Sequence, residues 1–154
     1  MSRHKELLRE AIRLAQENRA RGARPFGAVL AIDGEVIATG VNDVLHTQDP
    51  SIHAELEAIR AACRKLGRSD LKGSVVYASG HPCPMCLAAL VMTGVDAVYY
   101  AFDNQDAAPF GYSSELAYQA LRLPLPPTAL PFTRLDVGFT PEEVYGEPAG
   151  GTGD

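Results

Sequence analysis

Apolar positions recur at helical spacing over residues 3–20. Leu7, Leu8, Ala11, Ile12, Leu14 and Ala15 share one side, with Arg and Glu between them. The stretch Arg21-Gly22-Ala23-Arg24-Pro25 ends that helix. Two short apolar runs follow, Gly27–Ile32 and Glu35–Thr39, joined by Asp33-Gly34; Asp-Gly between such runs is a hairpin signal. Residues 42–50 read as a loop, with Asp49 and Pro50 suited to the N-cap and first position of a helix over about 51–65. Ser74–Ala78 predicts a buried strand. A helix from near Pro82 to about Thr93, a strand over Asp96–Phe102 and a helical stretch over 113–122 come next. The Pro-rich segment 124–131 excludes regular helix and leads to a last strand, Phe132–Val137. Hairpin first, then alternating helices and strands, predicts an α/β domain with one mixed, roughly five-stranded sheet covered on both faces.

Length and composition narrow the class. The 154 residues suffice for one domain, expected over 1–145, and Gly146–Asp154 reads as a flexible Gly-rich tail. With 14 Lys+Arg against 19 Asp+Glu, the net charge of −5 excludes a protein that grips nucleic acid through a large basic surface. No run approaches the ~20 apolar residues that cross a bilayer, so no membrane partner is expected. Met1–Arg13 has no uninterrupted apolar core of the signal-peptide kind, and a cytoplasmic location is expected. The three cysteines, two of them three residues apart, form no disulfide framework. Cys63, on the apolar side of a helix, reads as core. His4 and His46 read as solvent-facing.

The chemistry concentrates in two clusters, His53-Ala54-Glu55 and Pro82-Cys83-Pro84-Met85-Cys86, both at predicted helix starts. Cys83 and Cys86 lie on one helical face and can bind one ion. The partial positive charge of a helix N-terminus favours the thiolate that zinc requires. His53 supplies a third ligand from the neighbouring helix start. Three protein ligands leave a position open for water, the pattern of catalytic rather than structural zinc. Glu55, two residues beyond His53, points elsewhere and can move protons for a metal-activated water.

His-x-Glu followed by Pro-Cys-x-x-Cys resembles the signature of the cytidine/deoxycytidylate deaminase superfamily. The resemblance covers about residues 5–120. Pro25-Phe26-Gly27-Ala28-Val29, Asn42, Asp49-Pro50 and Pro82 through Leu87 resemble its purine-deaminase branch, which holds bacterial guanine deaminases and tRNA adenosine deaminases. Asp106-Ala107-Ala108 with Gly111 resembles the guanine deaminases more. The resemblance implies a three-layer α/β/α cytidine deaminase-like fold and one Zn2+ per chain on His53, Cys83 and Cys86. It also implies Glu55 as the proton shuttle and a homodimer. Asn42 would hydrogen-bond the base, Phe26 pack near the ring and the Ala54 N–H face the substrate. The implied reaction is hydrolytic deamination of a purine, guanine giving xanthine and ammonia.

His81 and Asp106 are further substrate-binding candidates. Other readings of single residues stay open: Asn42 also suits a turn cap, Phe26 suits core, and Asp106 suits a loop or cap. Glu142, Glu143 and Tyr145 are candidates for a segment closing over the site. Two departures bear on the pocket. His81 stands where many relatives carry Glu, and Tyr112-Ser113-Ser114 follows Gly111 where relatives carry an acidic pair. They motivate an alternative substrate: a nucleoside, cytosine or an s-triazine. A tRNA adenosine deaminase would carry a basic C-terminal helix, whereas this chain ends acidic and Gly-rich. A non-enzymatic zinc-stabilised binding module would require a fourth protein ligand or a metal buried from water.

Overall fold

The computed structural model describes residues 2–148; Met1 and 149–154, with most of the expected Gly-rich tail, lie outside the described residues. Helix α1 (Arg3–Ala20) forms where the periodicity places it, capped by Ser2, which accepts from the Lys5 N–H at 3.2 Å. Strands β1 (Gly27–Ile32) and β2 (Glu35–Val41) make the expected hairpin. Asp33 and Gly34 take φ of 51° and 78°, the pair of positive values that a type I′ turn needs.

The expected loop after β2 contains one helical turn, α2 (Val44–Thr47), and α3 (Ala54–Leu66) begins later than the expected residue 51. Asp49 does not cap α3. Its carboxylate accepts from the Ser51 N–H at 2.9 Å and the Ser51 hydroxyl at 2.7 Å, closing a turn of its own. The chain continues as β3 (Ser74–Gly80), α4 (Pro84–Met92), β4 (Ala97–Phe102), α5 (Asn104–Ala107) and α6 (Glu115–Ala120). Strand β5 (Phe132–Arg134) and helix α7 (Pro141–Tyr145) complete it. The proline in the first turn of α4 is Pro84, not Pro82. β5 stops short of Val137: the Asp136 carboxylate accepts from the Gly138 N–H at 2.9 Å and turns the chain. Thr140 and Glu143 form a capping box that starts α7.

The five strands run in the order β2-β1-β3-β4-β5. β1 is antiparallel to both β2 and β3; β3, β4 and β5 are mutually parallel neighbours. β1 is buried on both faces. Val29 and Ala31 pack with Leu8, Ile12 and Ala15 of α1 and with Val144 of α7. Ala28 and Leu30 pack with Ala58 and Ala62 of α3 and Leu90 of α4. Double burial explains why β1 reads as a continuous apolar run without alternation. The mixed topology also gathers chain ends. The start of β1 and the end of β2 fall at the end of the sheet where β3 and β4 finish, the edge at which open α/β sheets bind ligands.

Gly40 sets the seating of α3. A Cβ there would meet the Ala54 carbonyl oxygen and lie 2.5 Å from the Ala58 nitrogen, so only glycine lets β2 approach the first turn of that helix. Gly40→Ala is expected to destabilise the fold by about 1–3 kcal/mol, the range of overpacked cores, as measured by urea unfolding. A midpoint equal to that of the wild type would contradict this seating.

Candidate active site

Both helix starts at this end of the sheet carry N-cap residues that do not cap. His53 precedes α3 and Cys83 precedes α4, and neither side chain makes a cap hydrogen bond to its own helix. They turn toward each other. His53 Nδ1 lies 3.5 Å from Cys83 Sγ and 3.7 Å from Cys86 Sγ. All three ligand atoms fall within 4.8 Å of one another, and no fourth His, Cys, Asp or Glu joins the group among the described residues.

The spacing tests for zinc. A tetrahedral ion with its usual Zn–S and Zn–N bond lengths sets N···S edges of about 3.6 Å. The observed separations straddle that value, so one imidazole and two sulfurs fit Zn2+ with a vertex left over. The three groups also perturb one another's protons. A hydrogen bond from the Cys86 thiol, aided by one from His53, holds the Cys83 thiol down at about 4. Cys86, facing that thiolate and deeply buried, is pushed up. Contact with the Cys83 sulfur raises the His53 pKa.

Glu55 sits in the first turn of α3, buried at 6% exposure. Burial raises its carboxyl above the ordinary range, and the Cys83 charge adds to the shift. It lines a cavity of about 300 Å³ together with His53 and Cys83. Phe26, Asn42, Ala54 and His81 line the same cavity, each from a different chain end at this edge.

The side chains have defined roles in the wall. Asn42 does cap a turn, its Oδ1 accepting from the Val44 N–H at 3.1 Å, which leaves its amide N–H groups as donors. Phe26 is half-buried, packs against both cores and meets Tyr112 edge-on at 5.3 Å. His81 lies among Tyr100, Tyr118 and Phe132. Its Nδ1 lies 2.9 Å from the Pro82 carbonyl and so carries the proton, while Nε2 has no partner among the described residues. Tyr118 donates to the same carbonyl at 2.6 Å. Burial lowers the His81 pKa below its ordinary value.

Asp106 does not line this cavity. Its carboxylate accepts from the Asp103 N–H at 3.0 Å in a capping box and pairs with Arg134 at 2.6 Å. A short carboxylate three residues after another at a helix start is drawn into the cap. Tyr145 does not close over the site either; it packs beneath it, against Phe26, Phe102, Phe110 and Tyr112. His4 is exposed, as expected, and its ring also stacks on Tyr99 at 4.3 Å and bonds the Tyr77 hydroxyl at 2.8 Å. His46 is exposed and Cys63 packs against the α3 core, as expected. Arg24 and Gly111, with Tyr112, Ser113 and Ser114, complete the lining. Sequence reading passed over Arg24 as a helix breaker; its place beside Pro25-Phe26 was the available signal.

Fold and cluster together describe a metal-assisted hydrolase of the α/β class. Residues 1–102 match the cytidine and deoxycytidylate deaminase zinc-binding region. Guanine deaminase of Bacillus subtilis (strain 168) is 41% identical over 130 residues, 84% of this chain and 83% of that protein. A tRNA-specific adenosine deaminase of the same organism is 41% identical over 105 residues, 67% of this chain and 65% of that protein. The crystal structure of guanine deaminase from Bacillus subtilis superposes with a TM-score of 0.76 at 40% identity, covering 88% of this chain and 86% of that one. The chain belongs to the cytidine and deoxycytidylate deaminase family of zinc-dependent deaminases.

Cys83→Ala and Cys86→Ala are each expected to weaken zinc binding by more than about 100-fold, beyond what loss of a partner outside the ligand shell costs. Cys63→Ala should stay within threefold. Competition with a chromophoric chelator measures all three; an equal loss for Cys63→Ala would contradict the cluster.

Proposed function

We propose that this chain is a hydrolytic deaminase of a free purine base, converting guanine and water to xanthine and ammonia with one Zn2+ per chain. The observation that carries the reading is a three-ligand cluster beside one buried carboxylate in a cavity of about 300 Å³. That volume is at the small end of ligand sites and suits a free base. The 41% identity to a guanine deaminase over most of both chains supports the substrate.

His53, Cys83 and Cys86 would hold the ion. When bound, Zn2+ supplies Lewis acidity that brings the pKa of a coordinated water to roughly 7. Glu55 takes one proton from the attacking water and passes it to the ring nitrogen, then takes the proton of the added hydroxyl and passes it to the departing amine, which leaves as ammonia. The Asn42 amide and the Ala54 N–H, free in the first turn of α3, donate to ring acceptors. Phe26 flanks the ring, and the His81 side chain forms part of the wall against which it sits. Closed packing around Glu55 keeps water from competing for these bonds.

A different amino heterocycle is the second reading, favoured by the His81 and Ser113-Ser114 lining. A tRNA substrate is disfavoured by the charge of −5. A cytoplasmic homodimer remains part of the proposal. Among the described residues no helix is long and apolar enough to cross a membrane. Met85 and Met92, exposed on one side of α4, offer apolar area to a second copy.

Ammonia release from guanine tests the reading. Glu55→Gln should retain one zinc per chain and lose about 10²- to 10⁴-fold in kcat. Wild-type turnover in that variant would contradict the shuttle, and a zinc-loaded enzyme inert toward guanine would contradict the substrate.

A further inference from the structure

We infer that Arg24 is a specificity-determining residue that reads the adjacent acceptors O6 and N7 of a guanine-type base. The inference rests on the proposed purine reading and deepens it.

Arg24 lines the cavity and is half-buried, yet its guanidinium has no hydrogen-bond or ion-pair partner among the described residues. Its backbone is fixed. The fully buried Asn18 of α1 donates through Nδ2 to the Arg24 carbonyl at 2.7 Å and to the Asn42 carbonyl at 2.7 Å. One buried amide therefore ties together the two segments that carry Arg24 and Asn42.

The polar lining is divided by chemistry. The acceptor, the Glu55 carboxylate, belongs to a segment that carries a zinc-binding residue. Three other segments present donors. Asn42 has spent its oxygen on the Val44 N–H. Ser113 Oγ accepts from the Glu115 N–H at 3.1 Å, which leaves its O–H to donate. Arg24 has only donors. A ring bound with its amine toward Glu55 turns its other edge to these donors, so that edge must carry acceptors. Guanine places O6 and N7 side by side in one plane, and the guanidinium fork matches them with two parallel N–H bonds. A base with an amino group at position 6 sets donor against donor.

The test compares the zinc-loaded wild type with Arg24→Ala and Arg24→Lys on guanine, 7-deazaguanine, 2,6-diaminopurine and guanosine monophosphate. For guanine, kcat/KM should fall about 5- to 150-fold in Arg24→Ala, the worth of one bidentate base contact. Lysine should restore only part of it. For 7-deazaguanine and 2,6-diaminopurine, which lack one acceptor of the pair, the same substitution should cost less than threefold. A uniform loss on every base would overturn the inference while leaving the purine reading intact. So would a loss confined to the monophosphate, which would assign the guanidinium to a phosphate. Wild-type inactivity on every 2-aminopurine would overturn both.

Discussion

The approach of one imidazole nitrogen to two sulfurs at the mouths of two helices is the constraint around which the rest of the molecule is arranged. Helices ordinarily spend their N-cap side chains on their own free N–H groups. Here His53 and Cys83 are withheld from that task and face each other instead. The separations of 3.5 and 3.7 Å require α3 and α4 to start side by side at one end of the sheet. That in turn requires β2 to let α3 come close at Gly40, and β3 to end where α4 begins. The two helix starts also supply partial positive charge where thiolates must persist.

The same geometry distributes the remaining tasks. An antiparallel hairpin leading into parallel strands brings five chain segments to one edge, and each contributes to the wall of a single cavity. A segment that carries part of the cluster also carries the Glu55 carboxylate, and three other segments carry side-chain donors. The buried Asn18 holds two of the latter in register from α1, on the opposite face of the sheet from α3. A buried side chain of α1 thereby shapes the edge that carries the cavity.

The fold was largely legible because its signals are periodic and local. α1, the Asp33-Gly34 hairpin and the buried strands follow directly from spacing and turn chemistry. The grouping of His53, Cys83 and Cys86 and the position of Glu55 beside them were legible because their spacing is tied to helix starts. What escaped was competition among short-range bonds. Asp49 looked like a helix cap and closes its own turn, while Asp106 looked like a pocket group and is held by a capping box and Arg134. Thr140 through Glu143 carried a capping-box pattern that went unread. Arg24 was illegible as a site residue because its position depends on a contact with Asn18 that no local pattern announces.

The central claim is that the cluster binds one ion with a vertex open to solvent beside Glu55. A crystal structure of the zinc-loaded protein, with anomalous data collected at the zinc edge, tests it most directly. The account predicts one ion bound by His53 Nδ1 and the sulfurs of Cys83 and Cys86. Its fourth ligand should be a solvent oxygen within hydrogen-bond reach of the Glu55 carboxylate. A fourth protein ligand, or Glu55 itself coordinating the ion, would contradict it.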